Sequence, residues 1–352
     1  MDVLRRSGHG GHHELHSNQR AWERVSVAFY RFLESKQPNV SLCGRFASMT
    51  GFTKETLKIP SVDDGVTLDV WLFKPSGTGP FPVVIAGHGM TAIKDAGLAA
   101  FGRRWAVDAR YASLIFDYRY FGLSGGEPRN FVSLAEQRDD YEAVIRWVRQ
   151  RPELYLNNKI VLMGSAMSGL VVSQLALDDP GLAGIMVHSP MLDGYDTVMA
   201  AGFNPRLLFW AVIDQVKGML GLAPLFIRAV GRPNEFALLN SPSAHPGFTA
   251  MFAQGDTPFT DAPNLINPRI VFEFMSVRPG RHLARARCPV LLVVARDDDT
   301  LPARIGFEIG QAFQDKVTVV EAPCGHFDIM EGGKGFDINI SAQIGFLTML
   351  SQ

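Results

Sequence analysis

The chain has 352 residues, 47% of them hydrophobic and 20% charged, with a formal net charge of −1. That balance removes any bulk electrostatic case for nucleic acid or an anionic membrane as partner, and the length suits one large α/β domain carrying an insertion, or two domains. Cys43, Cys288 and Cys324 are too few and too scattered for a disulfide framework or a zinc site, and they fit a reducing compartment.

The N-terminal stretch "MDVLRRSGHGGHHELHSNQR" holds His9, His12, His13 and His16 among glycines. It lacks the apolar core of a signal peptide, and a flexible tail is a better reading of it than a metal site. Residues 21–35 place Trp22, Val25, Phe29, Phe32 and Leu33 on one helical face, a helix expected to dock on the main body. Residues 1–50 are therefore read as tail plus helix. No run reaches the roughly 18 apolar residues of a membrane span; the nearest, "LLFWAVIDQVKGML", is broken by Asp214 and Lys217. The C-terminal "LSQ" is not a peroxisomal signal. A cytoplasmic protein is the expectation by elimination.

From residue 55 strand and helix signals alternate. "ETLKIP" and "VTLDVWLFKP" flank an Asp64-Gly65 turn and read as a hairpin. "PVVIAG", "SLIFDY", "KIVLMG", "AGIMVH", "PVLLVVA" and "KVTVVEA" follow. Most are continuous apolar runs, the pattern of parallel strands buried on both faces. Helical stretches, at 131–149 and 168–178 among others, separate them, which predicts a mostly parallel, doubly wound α/β sheet. Between His188 and Pro289 the series stops for about a hundred residues. Residues 193–280 are read as a mainly helical lid inserted into a core made of 51–192 and 281–352. The lid's Phe, Leu, Met and Trp residues line an apolar pocket on one reading, and form the lid's own core or a dimer contact on the other.

"KIVLMGSAMSGLVVSQLA", residues 159–176, is a strand, a tight turn of small residues and a helix start, the setting of a nucleophile elbow. The nucleophile position falls on Ala166. In "VVIAGHGMTAIKD" a strand ends in His88-Gly89, and the backbone N–H of the next residue, Met90, would join that of Met167 as an oxyanion hole. His88 itself is expected to pack and hydrogen-bond beneath the loop. "PVLLVVARDDDTLP" offers Asp297, Asp298 and Asp299 past a strand end; Asp298, four residues before Pro302, is the acid expected to orient a histidine. That histidine is His326 in "EAPCGHFDIM". Its separation from Asp298 leaves room for one helix and one strand, and the order elbow, Asp, His is the one used on such a fold.

"GHGMTAIK", "FDYRYFGLSGGEP", "GSAMSGL", "VRPGRHLARARCPVLLVVARDDDTLP" and "CGHFDIMEG" resemble the motifs of the α/β-hydrolase superfamily over nearly all of 55–350. Within it they look like a branch of dienelactone-hydrolase and acyl-peptidase-like proteins. The departure is Ala166, where the family carries serine. Three explanations compete: a serine-to-alanine change made to inactivate the enzyme, a natural non-catalytic relative, or service by a neighbouring serine. Strand alternation should turn Ser165 away from the elbow apex, and Ser168 lies inside the helix. The intact acid, histidine and oxyanion loop favour the first.

The resemblance implies a serine hydrolase of an apolar, bulky carboxylic ester or lactone, acting through an acyl-enzyme with no metal or organic cofactor. The chain with Ala166 is expected to turn over hardly at all. The alternatives are acyl transfer or carbon–carbon bond hydrolysis on the same scaffold, or a ligand-binding pseudoenzyme. The expected partner is the small molecule; the apolar insertion also allows a homodimer.

Overall fold

The structure, a computed structural model, describes residues 51–352; the histidine-rich tail and the helix expected at 21–35 lie outside them. Strands β1 (Phe52–Pro60) and β2 (Thr67–Pro75) form the hairpin, with Gly65 at φ 75° in its turn. Next come β3 (Phe81–Gly87), helix α1 (Leu98–Arg104), β4 (Ala112–Phe116), α2 (Leu134–Arg149), β5 (Tyr155–Ser165), α3 (Ser168–Asp178) and β6 (Gly184–His188). The segment after β6 holds α4 (Gly194–Ala200), α5 (Pro205–Met219), β7 (Ile227–Arg228), α6 (Ala244–Phe252), β8 (Leu265–Ile266) and α7 (Ile270–Ser276). The chain then returns to β9 (Val290–Ala295), α8 (Ala303–Ala312), β10 (Val317–Ala322) and α9 (Phe336–Ser351).

Eight strands form one sheet in the order β1-β2-β4-β3-β5-β6-β9-β10. The pairs β1/β2 and β2/β4 are antiparallel and the other five are parallel. Every residue of β4, β6 and β9 is buried, because helices cover both faces of the parallel part. The parallel strands end together at one edge. Gly87, Ser165, His188, Ala295 and Ala322 are the last residues of five of them, so the loops that follow converge, as binding loops do on open α/β sheets.

The segment between β6 and β9 is held at its two ends by one carboxylate. Asp193, fully buried, accepts from Arg278 Nη2 at 2.9 Å and Arg281 Nε at 2.8 Å, and its Oδ1 caps α4 by accepting from the Asp196 amide at 3.0 Å. Asn204 caps α5 in the same way, with Pro205 in the first turn. Beyond these anchors α5 shows apolar side chains to solvent, including Phe209, Val212, Val216 and Met219.

Beneath the β3 and β4 loops lies a buried ion cluster. Lys94 Nζ sits 2.6 Å from Asp69 Oδ1 and also binds Asp117, whose Oδ1 accepts from the Lys94 amide at 2.7 Å. All three residues are at most 2% exposed. Ser124 Oγ donates to the Asp117 carbonyl at 2.6 Å and accepts from the Asp69 amide at 2.8 Å. Gly122 has φ +50°, and a Cβ there would come within 2.2 Å of Asp117 Oδ2. This cluster fixes the far end of the loop that runs from His88 to Lys94. Removing one charge strands the others in a dry site, so Asp117→Ala is expected to cost about 3–5 kcal/mol of stability. Denaturant unfolding checks this; a loss under about 1 kcal/mol would show that the cluster is not anchoring the loop.

Candidate active site

The turn after β5 is built by backbone constraint. Ala166 has φ +48°, a left-handed conformation that non-glycine residues avoid unless their surroundings impose it. Its amide donates to His188 O at 3.1 Å, and its carbonyl accepts from Met191 at 3.1 Å and from Gly169 at 2.9 Å. The neighbours must be small. A Cβ on Gly164 would fall 2.8 Å from the Ser168 carbonyl carbon, and one on Gly169 would fall 2.7 Å from Met191 O. The chain therefore turns from strand to helix within two residues, with the Ala166 methyl at the apex.

The loop after β3 lies alongside: a Cβ on Gly89 would be 3.6 Å from the Ala166 Cβ. His88 is buried beneath it, Nδ1 donating to Gly89 O at 2.8 Å and Nε2 accepting from the Tyr118 amide at 3.4 Å. Burial lowers its pKa, which keeps it neutral in that arrangement. Ser168 Oγ binds His88 O and lies 2.6 Å from the Tyr118 hydroxyl, so this serine ties helix to loop and is fully buried. Met90 and Met167 line the same cavity as Ala166. Among the described residues neither of their amides donates a hydrogen bond to protein.

Of the three aspartates after β9, Asp297 is exposed and pairs with Arg296, and Asp299 binds Ser243. Asp298 Oδ2 accepts from His326 Nδ1 at 2.7 Å. Its other oxygen accepts from the Thr300 and Leu301 amides at 2.8 and 2.7 Å, so the carboxylate is held at both ends. With Nδ1–H given to Asp298, the neutral imidazole keeps its lone pair on Nε2, and His326 lines the cavity with Ala166. The rest of the cavity wall is largely apolar. Leu207, Leu238, Leu239, Phe248, Met251, Val271 and Phe274, all from the segment between β6 and β9, contribute to it. Among the described residues no group of three His, Cys, Asp or Glu side chains is placed to hold a metal ion, and no helix is long and apolar enough to cross a membrane.

Solved structures share this architecture. The chain is similar to DcsB in complex with its substrate analogue (TM-score 0.68, 19% identity, 84% of this chain and 98% of that one). It is also similar to the α/β hydrolase GrgF from Penicillium sp. sh18 (TM-score 0.64, 21% identity, 84% and 99%). The chain has the α/β-hydrolase fold. Residues 64–219 match the family model for X-Pro dipeptidyl-peptidases of the S15 family. In sequence the chain is 28% identical over 304 residues to the quorum-quenching protein AidA of Acinetobacter baumannii (strain MDR-ZJ06), covering 85% of this chain and 97% of AidA. It is 25% identical to the polyketide transferase ATR5 of Stachybotrys chlorohalonatus (strain IBT 40285), covering 82% and 94%.

On this α/β-hydrolase fold the cavity has a further imidazole, beside His88 and His326, that the sequence did not single out. Ser165 does not turn away from the site, as alternation along the strand suggests. It lines the cavity, with its Oγ 2.8 Å from His188 Nε2. Alternation fails because the chain leaves β5 at the left-handed residue 166, so the side chains of 165 and 166 are no longer related by the pleat. His188 ends β6, and its Nδ1 is 3.0 Å from Asn339 Nδ2 on α9. The only sequence signal was a histidine closing an otherwise apolar strand run.

Burial pushes His188 down to about 3, and the nearby His326 adds to the shift. Since the unfolded value is about 6.5, the unfolded chain takes up a proton that the folded chain refuses. The stabilisation is complete above about 6.5 and is lost as pH falls toward the folded value. Between pH 6.5 and 4 the stability of the native chain should therefore fall more steeply than that of His188→Gln, by up to about 1.4 kcal/mol per pH unit. Denaturant midpoints measured against pH check this; equal slopes for the two proteins would show that His188 titrates normally.

Proposed function

We propose that this cavity is the site of a serine hydrolase for apolar, bulky carboxylic esters or lactones, with alanine in place of the nucleophilic serine at position 166. The observation that carries the reading is the convergence on one apolar cavity of the elbow apex, two unused amides and an imidazole oriented by a carboxylate. A serine at 166 would stand on a turn already strained for it. Its oxygen would attack the substrate carbonyl carbon while His326 Nε2 takes its proton. Asp298 would hold the imidazole tautomer and stabilise the imidazolium. The Met90 and Met167 amides would hold the oxyanion of the tetrahedral intermediate. His326 would then pass the proton to the leaving alcohol and activate water to release the acid.

With a methyl at the apex the chain keeps the binding cavity, the base and the oxyanion donors, but forms no acyl-enzyme. In serine proteases the loss of such a serine costs on the order of a million-fold in turnover. The intact surroundings favour a serine-to-alanine change over a relative that dispensed with catalysis, which would have no reason to keep acid and base together. The segment between β6 and β9 acts as a lid whose apolar wall selects the acyl group, in keeping with its share of the cavity lining.

A second reading is acyl transfer to an alcohol or amine on the same acyl-enzyme. Its support is the likeness to polyketide transferases, ATR5 among them.

Ala166→Ser is expected to gain hydrolysis of medium-chain p-nitrophenyl esters or lactones, with a burst of p-nitrophenol equal to the enzyme present. Adding His326→Ala or Asp298→Asn should return it to the level of the Ala166 chain. An added alcohol that diverts the product from acid to ester supports transfer. A folded Ala166→Ser variant that binds such esters yet cleaves none across a broad panel would make this a ligand-binding protein instead.

A further inference from the structure

The hydrogen-bond network around His188 runs in one direction only. Trp105 Nε1–H can only donate, and it donates to Gln343 Oε1 at 3.0 Å. The amide nitrogen of Gln343 must then be its other end, and it donates to Asn339 Oδ1 at 2.8 Å. That leaves Asn339 Nδ2 as a donor. It gives one hydrogen to Ile329 O at 3.1 Å and the other to His188 Nδ1 at 3.0 Å. The carbonyl of Ile329, which can only accept, fixes the Asn339 amide a second time. His188 Nδ1 is therefore an acceptor. A neutral imidazole that accepts at Nδ1 carries its hydrogen on Nε2, and that hydrogen points to Ser165 Oγ.

Two consequences follow for Ser165. Its oxygen already accepts from His188, so His188 cannot take its proton, and Ser165 is not a substitute nucleophile for the missing serine. Its own O–H has no acceptor among the described residues, although Ser165 is half-buried and lines the cavity. The other hydroxyls on the wall are spent on protein: Ser189 Oγ donates to His326 O at 2.9 Å, Thr197 Oγ1 to Asp193 O at 2.7 Å and Thr300 Oγ1 to Asp299. Ser165 Oγ also lies next to the oxyanion loop, since a Cβ on Gly89 would be 3.8 Å from it.

We propose that the Ser165 hydroxyl, turned outward by the Trp105–Gln343–Asn339–His188 relay, is a third hydrogen-bond donor for the carbonyl oxygen of the bound acyl substrate, beside the Met90 and Met167 amides. The inference rests on the ester or lactone reading of the cavity. It assigns the relay a task that packing alone does not need: holding one tautomer of a buried histidine so that a neighbouring hydroxyl faces the ligand. A donor of this kind acts on a carbonyl whether or not position 166 carries a nucleophile, so the chain can be tested as it stands.

The probe is p-nitrophenyl octanoate labelled with carbon-13 at its carbonyl. Ser165→Ala should weaken its binding about five- to tenfold, the loss of one neutral hydrogen bond, and should move the carbonyl infrared band of the bound ester to higher frequency. Nitrogen-15 NMR of the imidazoles should show His188 neutral and protonated at Nε2 from pH 5 to 8. Unchanged affinity and carbonyl band in a Ser165→Ala protein that melts like its parent would overturn the inference and leave the ester reading standing. A His188 protonated at Nδ1 would overturn the relay even if Ser165→Ala failed to fold. Failure of the ester and of a panel of medium-chain lactones to bind, with no activity in Ala166→Ser, would overturn both.

Discussion

Residue 166 is held in a left-handed backbone conformation, and the arrangement of the site depends on that constraint. The hydrogen bonds that impose it come from three directions: His188 O at the end of the neighbouring strand, Met191 N in the loop beyond it and Gly169 N in the helix. The glycines at 164 and 169 let those groups come close enough to bond. An alanine gains nothing locally from φ +48°, which costs on the order of 1–3 kcal/mol for such a residue. Strain of that kind persists where the surroundings over-determine it. Here they do so at the end of β5, at the same edge where four other parallel strands of the sheet end. The backbone is thus shaped to lift a side chain into the cavity, although the side chain present is only a methyl.

The cavity around that methyl is almost entirely apolar, which gives its few polar atoms their weight. In a low-dielectric pocket an unpaired donor or acceptor is costly, and a ligand that pairs with it gains correspondingly. Among the described residues, the groups on its wall left without a protein partner include the Met90 and Met167 amides, the Ser165 O–H and His326 Nε2. Three can donate and one is basic. On the proposed reading these groups suit a carbonyl whose oxygen gains negative charge while an imidazole nitrogen stands nearby, and they suit a cation poorly. Of the buried histidines that line the cavity, His326 and His188 do different work for the same reason. His326 has a carboxylate on one nitrogen, whereas His188 has only neutral amide and hydroxyl partners and so cannot afford a charge.

Much of this was legible in the sequence because the signals are local. Buried parallel strands read as unbroken apolar runs, and β4, β6 and β9 are buried at every position. The elbow is a short run of small residues between strand and helix. Asp298 stood out from Asp297 and Asp299 by its place before Pro302, and in the structure it is the one of the three against His326. The Ser165–His188–Asn339 contact was not legible. Its members come from β5, β6 and the last helix, and Asn339 is 151 residues from His188. No spacing rule joins them. The one rule applied to Ser165, strand alternation, assumes that the strand continues, and it ends there.

The stretch that most marks the resemblance, "FDYRYFGLSGGEP", supplies no side chain to the cavity wall. Its Asp117 and Ser124 belong to the buried ion cluster under the loops, and Arg119 binds Asp140 of α2 at 2.8 Å. Arg129 closes the same turn by donating to the carbonyls of Ser124 and Gly122. These groups must keep their identity because a buried charge tolerates no partial network. Their chemistry is therefore about holding the loop that carries Met90, whatever substrate that loop then meets. The cavity wall is instead supplied largely by the segment between β6 and β9, whose aliphatic side chains tolerate volume-conserving exchange at modest cost. A resemblance carried by the ion cluster accordingly follows the scaffold and the position of the loop that carries Met90; on the proposed reading the choice of substrate would lie in the apolar wall, where sequence is less constrained.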